Sequence, residues 1–396
     1  MTDTLGQSQV IPYLIGLSKS GYSITLISCE KPASYQRNSA LISSLLKENN
    51  IDWHPLFYTK KPPVLSTLWD MFKMNRKIRQ LHLDKDFKVV HCRSYITSLL
   101  GEKFCKKNNI PFVFDMRGFW ADERVEGTIW NLKNPIFKWI YNYFKRKELD
   151  FVNTAAAIVS LTHAGKREIQ SWKILPSQKH KITVIPCSAD FDLFVPATAL
   201  QRKKARANAG IDESDFVIAY LGSIGTWYLL DEMLDFFSIC LKQNPQSKFY
   251  VLTGDSKQEL YAKAKSKGIP ENSLMVEFAE RKQVPEKLAA ADWGISFIKP
   301  SFSKTASSPT KMGEMLAMGI PLIVNGNVGD VQEIIEQVGG GLCIMELNHA
   351  SYIEAIEKMG KYDSNDRNKI RMKSKEIYHL QKAIDSYVSI YNSILK

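Results

Sequence analysis

Residues 307–321 read Ser-Ser-Pro-Thr-Lys-Met-Gly-Glu-Met-Leu-Ala-Met-Gly-Ile-Pro and contain the most clearly bounded helix of the sequence. Ser308 is a good N-cap, Pro309 suits the first helical position, and Gly319 suits the C-terminal stop. This punctuation predicts a helix of about ten residues. A short apolar strand, Pro321–Val324, is predicted directly after it, so the stretch forms one helix–strand unit of an α/β fold.

The N-terminus of this predicted helix is suited to bind an anion. It offers free backbone N–H groups, the Thr310 hydroxyl and the Lys311 ammonium. Glu314 lies one turn further on, where a carboxylate is a poor phosphate ligand but a good bidentate acceptor for two ribose hydroxyls. Composition alone favours the alternative of a solvated glutamate on a surface helix, and both interpretations remain open at this stage.

Strand-like and helical segments alternate along the whole chain. Ten strands are predicted, in two sets of five: Ser23–Ser28, Lys88–His91, Pro111–Asp115, Ala157–Ser160 and Ile182–Ile185, then Phe216–Leu221, Phe249–Thr253, Leu274–Glu277, Trp293–Ile298 and Pro321–Val324. This alternation predicts an α/β protein with two doubly wound parallel sheets. The predicted domains are 1–190 and 191–365, followed by one long helix over 366–396.

The basic charge is confined to the first predicted domain. The 396-residue chain carries a net charge of +12. Residues 1–190 hold 28 Lys and Arg against 16 Asp and Glu, whereas residues 191–396 hold 25 of each. A basic domain beside a neutral one indicates an anionic surface or substrate at the first domain. A solvated basic surface without a partner is the alternative.

Two segments concentrate this charge and combine it with aromatic residues at helical spacing. Residues 60–88 include Trp69, Lys73, Arg76 and Lys77, and residues 133–147 have a similar pattern. Such a helix can lie in an anionic membrane interface, or it can be an ordinary amphipathic helix packed on its own domain. The two alternatives are balanced for 60–88, and packing is favoured for 133–147.

Several classes of protein are excluded or poorly supported. Six scattered cysteines without a C-x-x-C pair argue against a disulfide framework and a structural zinc site. The seven histidines have no metal-binding spacing. No apolar run is long enough for a membrane span, the N-terminus lacks a signal-peptide pattern, and no nucleic-acid-binding module is present.

Two other loops follow predicted strands. Gly222–Thr226 could bring backbone N–H groups to a phosphate, although glycine after a strand is often only a turn. The loop that runs from Asp115 to Arg124 begins at a strand end, where charged residues face the ligand crevice of such sheets. His91 and Arg93 end the preceding strand, and His91 fits a hydrogen-bonded core histidine equally well.

Together these segments resemble the retaining glycosyltransferases of GT-B fold in family 4, over nearly the whole chain. The matching pieces, in order, are Gly6–Gln9 with Tyr13-Leu14 and Gly21–Thr25, Val184–Asp190 with Phe194 and Pro196, Val284–Asp292, and the Glu314 helix with Gly319–Ile323. No single piece is specific, but the combination is. Two segments are similar to those of bacterial members that build cell-surface polysaccharide: Ser-Pro-Thr-Lys at 308–311 and Asp-Met-Arg-Gly-Phe-Trp-Ala-Asp-Glu-Arg at 115–124.

The resemblance implies a role for each candidate residue. Glu314 would bind the ribose of a nucleotide-sugar, and the groups at the diphosphate would be Gly6, Gly225, Thr226, Thr310 and Lys311, with Arg281 near the donor. A lipid-linked or polysaccharide acceptor would enter near Asp115, Arg117 and the segment 60–88, and the catalytic residues would be Arg117, Asp115 and Glu314. The protein would act at the cytoplasmic membrane face, without a metal or other cofactor and without nucleic acid. The last helix would cross back to the first domain.

The sequence departs from the family pattern at four places. Ala306 stands where a second glutamate is usual, Arg117 stands for a histidine, and the loop Ser223–Trp227 lacks the usual cation, for which Lys311 is a candidate replacement. A first strand before Gly6 is also missing, so we expect Met1 to be an internal methionine. A non-catalytic scaffold of the same fold, or a nucleotide-sugar epimerase, are the alternative functions.

Overall fold

The computed structural model describes residues 1–62, 65–362 and 367–396. We call the unit that holds strands β1–β6 the first domain and the unit that holds β7–β12 the second domain. The strands of the first domain are β1 (Ile24–Glu30), β2 (Ile51–Phe57), β3 (Val90–Arg93), β4 (Phe112–Asp115), β5 (Ala157–Ser160) and β6 (Ile182–Val184). Its helices are α1 (Thr4–Gln9), α2 (Ile11–Lys19), α3 (Pro32–Glu48), α4 (Leu65–Lys85), α5 (Tyr95–Asn108), α6 (Trp120–Glu126), α7 (Pro135–Thr154), α8 (His163–Ser171) and α9 (Pro176–Lys179).

The first domain contains two parallel sheets among the described residues. In the first sheet β1 pairs with β2, and the register runs from Ile24 opposite Ile51 to Glu30 opposite Phe57. The second sheet has the strand order β3-β4-β5-β6. β2 was not predicted, because Asp52, His54 and Pro55 interrupt its apolar pattern. Helices α4, α5 and α7 share one apolar core with the four-stranded sheet, and α2 packs in another.

The second domain is one six-stranded parallel sheet of order β12-β11-β10-β7-β8-β9, the doubly wound arrangement. Its strands are β7 (Phe216–Leu221), β8 (Ser247–Leu252), β9 (Leu274–Glu277), β10 (Trp293–Ser296), β11 (Leu322–Asn325) and β12 (Gly341–Ile344). Its helices are α10 (Ala199–Asn208), α11 (Leu230–Gln243), α12 (Lys257–Ser266), α13 (Val284–Leu288), α14 (Thr310–Ala317), α15 (Val331–Val338) and α16 (His349–Gly360). β12 was not predicted, since this short edge strand follows two glycines and itself begins with Gly341.

The C-terminal segment is two helices, α17 (Arg367–Tyr378) and α18 (Leu380–Ile394), so the prediction of a single helix is wrong. The break occurs at His379, whose backbone is extended and whose side chain accepts a hydrogen bond from the Gln381 N–H. α17 packs against α14 of the second domain, and α18 packs against α2 of the first. Only α18 therefore crosses back to the first domain. Residue 366, where the helix was predicted to start, lies outside the described residues.

The two domains contact each other along their loops. The hydroxyl of Thr162 donates to the carbonyl of Thr305 at 2.8 Å, and the carboxylate of Asp330 accepts from the N–H of Ala164 at 2.8 Å. Lys304, in a 3-10 helix over Phe302–Ala306, forms an ion pair with Glu123 at 2.8 Å. These contacts join α6 and the start of α8 to the segments that follow β10 and β11, so the two domains meet along one cleft.

Candidate active site in the cleft

Glu314 is buried in α14, which rules out the interpretation as a solvated surface glutamate. Only 6% of Glu314 is exposed. Arg281 Nη1 donates to Glu314 Oε1 at 2.6 Å, and the guanidinium of Arg281 also stacks over the ring of Phe194. Burial raises the pKa of Glu314 more than Arg281 lowers it. Glu314 is thus a buried hydrogen-bond acceptor paired with Arg281, at the cleft end of the second domain.

Lys311 is also buried, and it points toward the glycine-containing loop that follows β7. Its Nζ donates to the Tyr220 hydroxyl at 3.0 Å and lies 3.5 Å from the centre of the Tyr228 ring. Gly222 has φ +118°, and a Cβ there would lie 2.7 Å from Lys311 Nζ. Burial lowers the pKa of Lys311 to about 7, although Glu314 opposes the shift. Lys311 therefore brings a cation to a loop that has none of its own.

In the loop after β7, the two residues that were predicted to contact a phosphate are exposed. A Cβ on Gly225 would meet no atom within 4 Å, and Thr226 has the left-handed φ of +53°. The carboxylate of Asp255 accepts a hydrogen bond from the N–H of Ile224 at 2.6 Å and so holds the loop in place. The predicted contacts of Gly225 and Thr226 with a diphosphate stay predictions.

The start of α14 differs from its prediction. The helix spans Thr310–Ala317, its N-cap position is Pro309, and Gly319 with φ +70° follows its end. Ser308 does not cap the helix, because its hydroxyl accepts a hydrogen bond from the N–H of Cys187 at 3.1 Å. This bond joins the segment between the domains to the helix that carries Lys311 and Glu314. Thr310 is half-buried at the helix start.

In the first domain, Asp115 lies in a cluster of charged and polar side chains at the carboxyl ends of β3 and β4. Its carboxylate lies 3.6 Å from Arg93, 3.8 Å from Arg117 and 3.5 Å from His91. The Tyr387 hydroxyl of α18 also donates to it at 3.2 Å. Burial alone would raise the pKa of Asp115, but the surrounding cations hold it well below its usual range. His91 thus lies within this charged cluster.

Gly6 does not lie in a loop, so that part of its prediction is wrong. It lies in α1, where a Cβ would come within 2.6 Å of the Met1 backbone. Two neighbours on α1 and α2 make contacts with Ser188 that were not predicted. Gln9 donates to the carbonyl of Ser188 at 2.9 Å, and the Tyr13 hydroxyl accepts from the N–H of Ser188 at 2.9 Å. Both residues lie in segments that carry the family resemblance, but these contacts could not be predicted from local sequence because Ser188 is 179 and 175 residues away along the chain.

Ala306 faces the first domain. It is buried in the apolar core that surrounds α5 and α7, and a Cβ on Gly165 would lie 3.0 Å from the Ala306 Cβ. A glutamate at this position would place a carboxylate in that apolar contact. The alanine is therefore consistent with a direct contact between the domains at this point.

Within the segment 60–88, residues Leu65–Lys85 form helix α4, which exposes an apolar surface near its start, and residues 63 and 64 lie outside the described residues. More than half of each of Leu65, Leu68, Trp69 and Phe72 is exposed, and the rings of Trp69 and Phe72 stack. Arg76 is exposed and Lys77 is half-buried. Lys73 turns inward, where it forms an ion pair with Asp70 at 2.7 Å and donates to the carbonyl of Phe57. α7 exposes Ile136 and Trp139 at its start, and Phe144 packs in the core.

The described ranges contain neither a membrane-spanning helix nor a metal-binding cluster of side chains. No helix there is both long and apolar enough to cross a membrane. No three or more His, Cys, Asp or Glu side chains there lie close enough together to hold a metal ion.

The fold and the cleft define a glycosyltransferase of the GT-B class, and the family comparisons identify the family. Residues 10–193 match the family described as Glycosyltransferase Family 4, and residues 201–377 match Glycosyl transferases group 1. The chain therefore belongs to the family 4 glycosyltransferases, as the resemblance predicted. No curated protein matches the chain significantly.

Solved structures of glycosyltransferases share the fold at low sequence identity. Anabaena Alr3699/HepE in complex with UDP and glucose is 14% identical with a TM-score of 0.70, covering 99% of this chain and 98% of that one. A Rickettsia africae glycosyltransferase is 18% identical with a TM-score of 0.69, covering 99% and 97%. The lipopolysaccharide outer core galactosyltransferase WaaB, in its apo form, is 13% identical with a TM-score of 0.59, covering 89% and 86%.

Proposed function

We propose that this glycosyltransferase moves a sugar from a nucleotide-sugar to a lipid-linked or polysaccharide acceptor, with retention of the anomeric configuration. The observation that carries the proposal is the placement of Lys311 and Glu314 on α14. One turn separates a buried cation, aimed at the loop after β7, from a buried carboxylate beside Arg281. A cation at a helix N-terminus suits a diphosphate, and a carboxylate can accept hydrogen bonds from two ribose hydroxyls.

The chemistry follows from these positions. The bond between the anomeric carbon and the donor phosphate oxygen breaks, and the acceptor oxygen bonds to that carbon on the same face. The acceptor proton passes to the departing phosphate oxygen, so atoms and charge balance. Lys311 and the N-terminal N–H groups of α14 stabilise the diphosphate as its negative charge develops. We expect this stabilisation to replace a metal ion.

The acceptor side of the proposal rests on the first domain. Its cleft edge carries Arg93, Arg117 and His91, and the start of α4 exposes Trp69 and Phe72 beside Arg76. Exposed aromatic residues next to cations suit the interface of an anionic membrane. We propose that the enzyme works on the cytoplasmic membrane face in bacterial cell-surface polysaccharide synthesis. The HepE neighbour was solved with UDP-glucose, so UDP-sugars are the first donors to test.

The test is hydrolysis of a nucleotide-sugar donor without acceptor. A panel of UDP-, GDP- and ADP-sugars is incubated with the wild-type protein and with Glu314→Ala, and release of the nucleoside diphosphate is measured. We expect slow release from one donor class and loss of that release in the variant. The matched control is Glu333→Ala, which removes an exposed glutamate on α15. Equal release by Glu314→Ala and wild type would contradict the proposed site.

A further inference from the structure

The charged cluster around Asp115 in the first domain carries more positive charge than negative charge. Arg93 and Arg117 flank the single carboxylate of Asp115 at the carboxyl ends of β3 and β4. Nine-tenths of the Arg117 side chain is buried. A guanidinium keeps its charge when it is buried, so the excess has to be offset by an anion or by hydrogen bonds.

The hydrogen bonds of Arg117 do not offset this charge. Its Nη2 donates to the sulfur of Cys187 at 3.3 Å, a weak acceptor. Its Nη1 is among the buried atoms for which the described residues provide no hydrogen-bond partner. Asp115 Oδ1, which also has no hydrogen-bond partner among the described residues, forms an ion pair with that nitrogen at 3.8 Å, beyond hydrogen-bond distance. Arg93 has about a quarter of its side chain exposed and reaches Asp115 only at 3.6 Å.

We propose that Arg93 and Arg117 form a phosphate-binding subsite of the first domain that holds the phosphate of the acceptor. Two guanidiniums present planar sets of donors that match phosphate oxygens, and a phosphate supplies the missing negative charge. The donor diphosphate has its own cation, Lys311, on the second domain. This inference rests on the proposed function, because it assigns the acceptor side of the same cleft.

The position of the subsite limits the acceptor. Arg117 contacts Cys187, and the N–H of Cys187 donates to the Ser308 hydroxyl just before α14. Only one residue therefore separates the Arg117 guanidinium from the segment that leads into the donor helix. A phosphate held by Arg117 lies close to the site of transfer, so the hydroxyl that receives the sugar belongs to a unit joined directly to that phosphate. The subsite thus fits a lipid phosphate that carries a short glycan.

The experiment measures inorganic pyrophosphate binding by calorimetry on protein that is already saturated with UDP, or with whichever nucleoside diphosphate binds. Saturation fills the donor site, so further binding reports the second subsite. The variants are Arg93→Gln, which removes the more exposed cation, and Arg117→Lys, which keeps the charge but loses the planar donors. Arg37→Gln removes an exposed arginine on α3 and is the matched control.

We expect the saturated wild-type protein and Arg37→Gln to bind pyrophosphate, and Arg93→Gln to bind it about tenfold or more weakly. Arg117→Lys should be weakened to a smaller extent. Nucleotide affinity should be unchanged in Arg93→Gln, which also shows that the variant is folded. Pyrophosphate that binds only in competition with the nucleotide, or an Arg93→Gln variant with unchanged pyrophosphate binding, would overturn the inference. If no nucleotide binds, the proposed function fails, and titration of the free protein still tests the subsite.

Discussion

Lys311 and Glu314 lie one turn apart on α14, and both are buried, with 9% and 6% of each residue exposed. They point to different partners: Lys311 contacts Tyr220 and Tyr228, and Glu314 contacts Arg281. Burial of two ionisable side chains does not stabilise a helix, since keeping either of them charged away from water costs free energy. Their burial is the physical reason to place a ligand at this helix.

Replacement of Lys311 by methionine should separate binding from stability. Lys311→Met removes the cation but keeps most of the apolar chain, so nucleotide affinity should fall by at least about tenfold. Thermal unfolding should occur at the same or a higher temperature, because the variant no longer buries an amine. The control is Lys265→Met on the exposed side of α12. Unchanged affinity in Lys311→Met would exclude this lysine from the site.

The protein should take up a proton when it binds a nucleotide near pH 8. In the free protein burial lowers the pKa of Lys311 to about 7, so above pH 7 this amine is mostly neutral. A bound diphosphate favours the ammonium and raises the pKa. Affinity should therefore fall as the pH rises from 7.5 to 9, by up to about tenfold per unit.

Calorimetry in two buffers of different ionisation heat measures this proton uptake. Lys311→Arg should bind with little dependence on pH over the same range, since an arginine stays charged. The same pH dependence in both proteins would show that another group titrates.

Gly222→Ala should damage both the fold and the site. The left-handed φ of +118° strains an alanine by about 1–3 kcal/mol, and the new Cβ would meet Lys311 Nζ at 2.7 Å. Gly210→Ala is the matched control, because Gly210 has φ +67° but no neighbour within 4 Å of its Cβ position. Urea unfolding should show a loss of stability in both variants, whereas nucleotide affinity should fall only in Gly222→Ala. A similar loss of affinity in Gly210→Ala would mean that strain alone explains the effect.

Membrane attachment through the start of α4 predicts a position-specific effect. The double variant Trp69→Ser and Phe72→Ser removes two exposed, stacked rings and should reduce sedimentation with anionic liposomes by about tenfold or more. Leu83→Ser is the control, because Leu83 is 86% exposed near the other end of the same helix. Equal sedimentation of the three proteins, or sedimentation that does not depend on anionic lipid, would contradict this surface.

The helix–strand unit around Glu314 could be predicted because local rules bound it. Gly319 follows its end as predicted, Pro309 lies one position earlier than predicted, at the N-cap, and β11 follows the helix. The role of Ser308 was wrong because its hydroxyl bonds to Cys187, 121 residues earlier, and no local pattern records such a contact. The tyrosines that surround Lys311 were missed for the same reason, since Tyr220 is 91 residues away.

The errors in the fold also have local causes. β2 contains a proline and two polar residues, yet its pairing with β1 outweighs these local preferences. The C-terminal helix breaks at His379, between α17, which packs on α14, and α18, which packs on α2. The apolar spacing continues through the break, so periodicity alone does not reveal it.

Nucleotide binding to wild type and Glu314→Ala, measured by calorimetry with UDP, GDP, ADP and CMP, tests the central claim most directly. We predict saturable binding of one nucleoside diphosphate by the wild-type protein and by Glu333→Ala. Glu314→Ala should bind it at least about tenfold more weakly, because two ribose hydroxyls lose a charged acceptor. Binding of equal strength to Glu314→Ala, or binding of none of the nucleotides by the wild-type protein, would contradict the account.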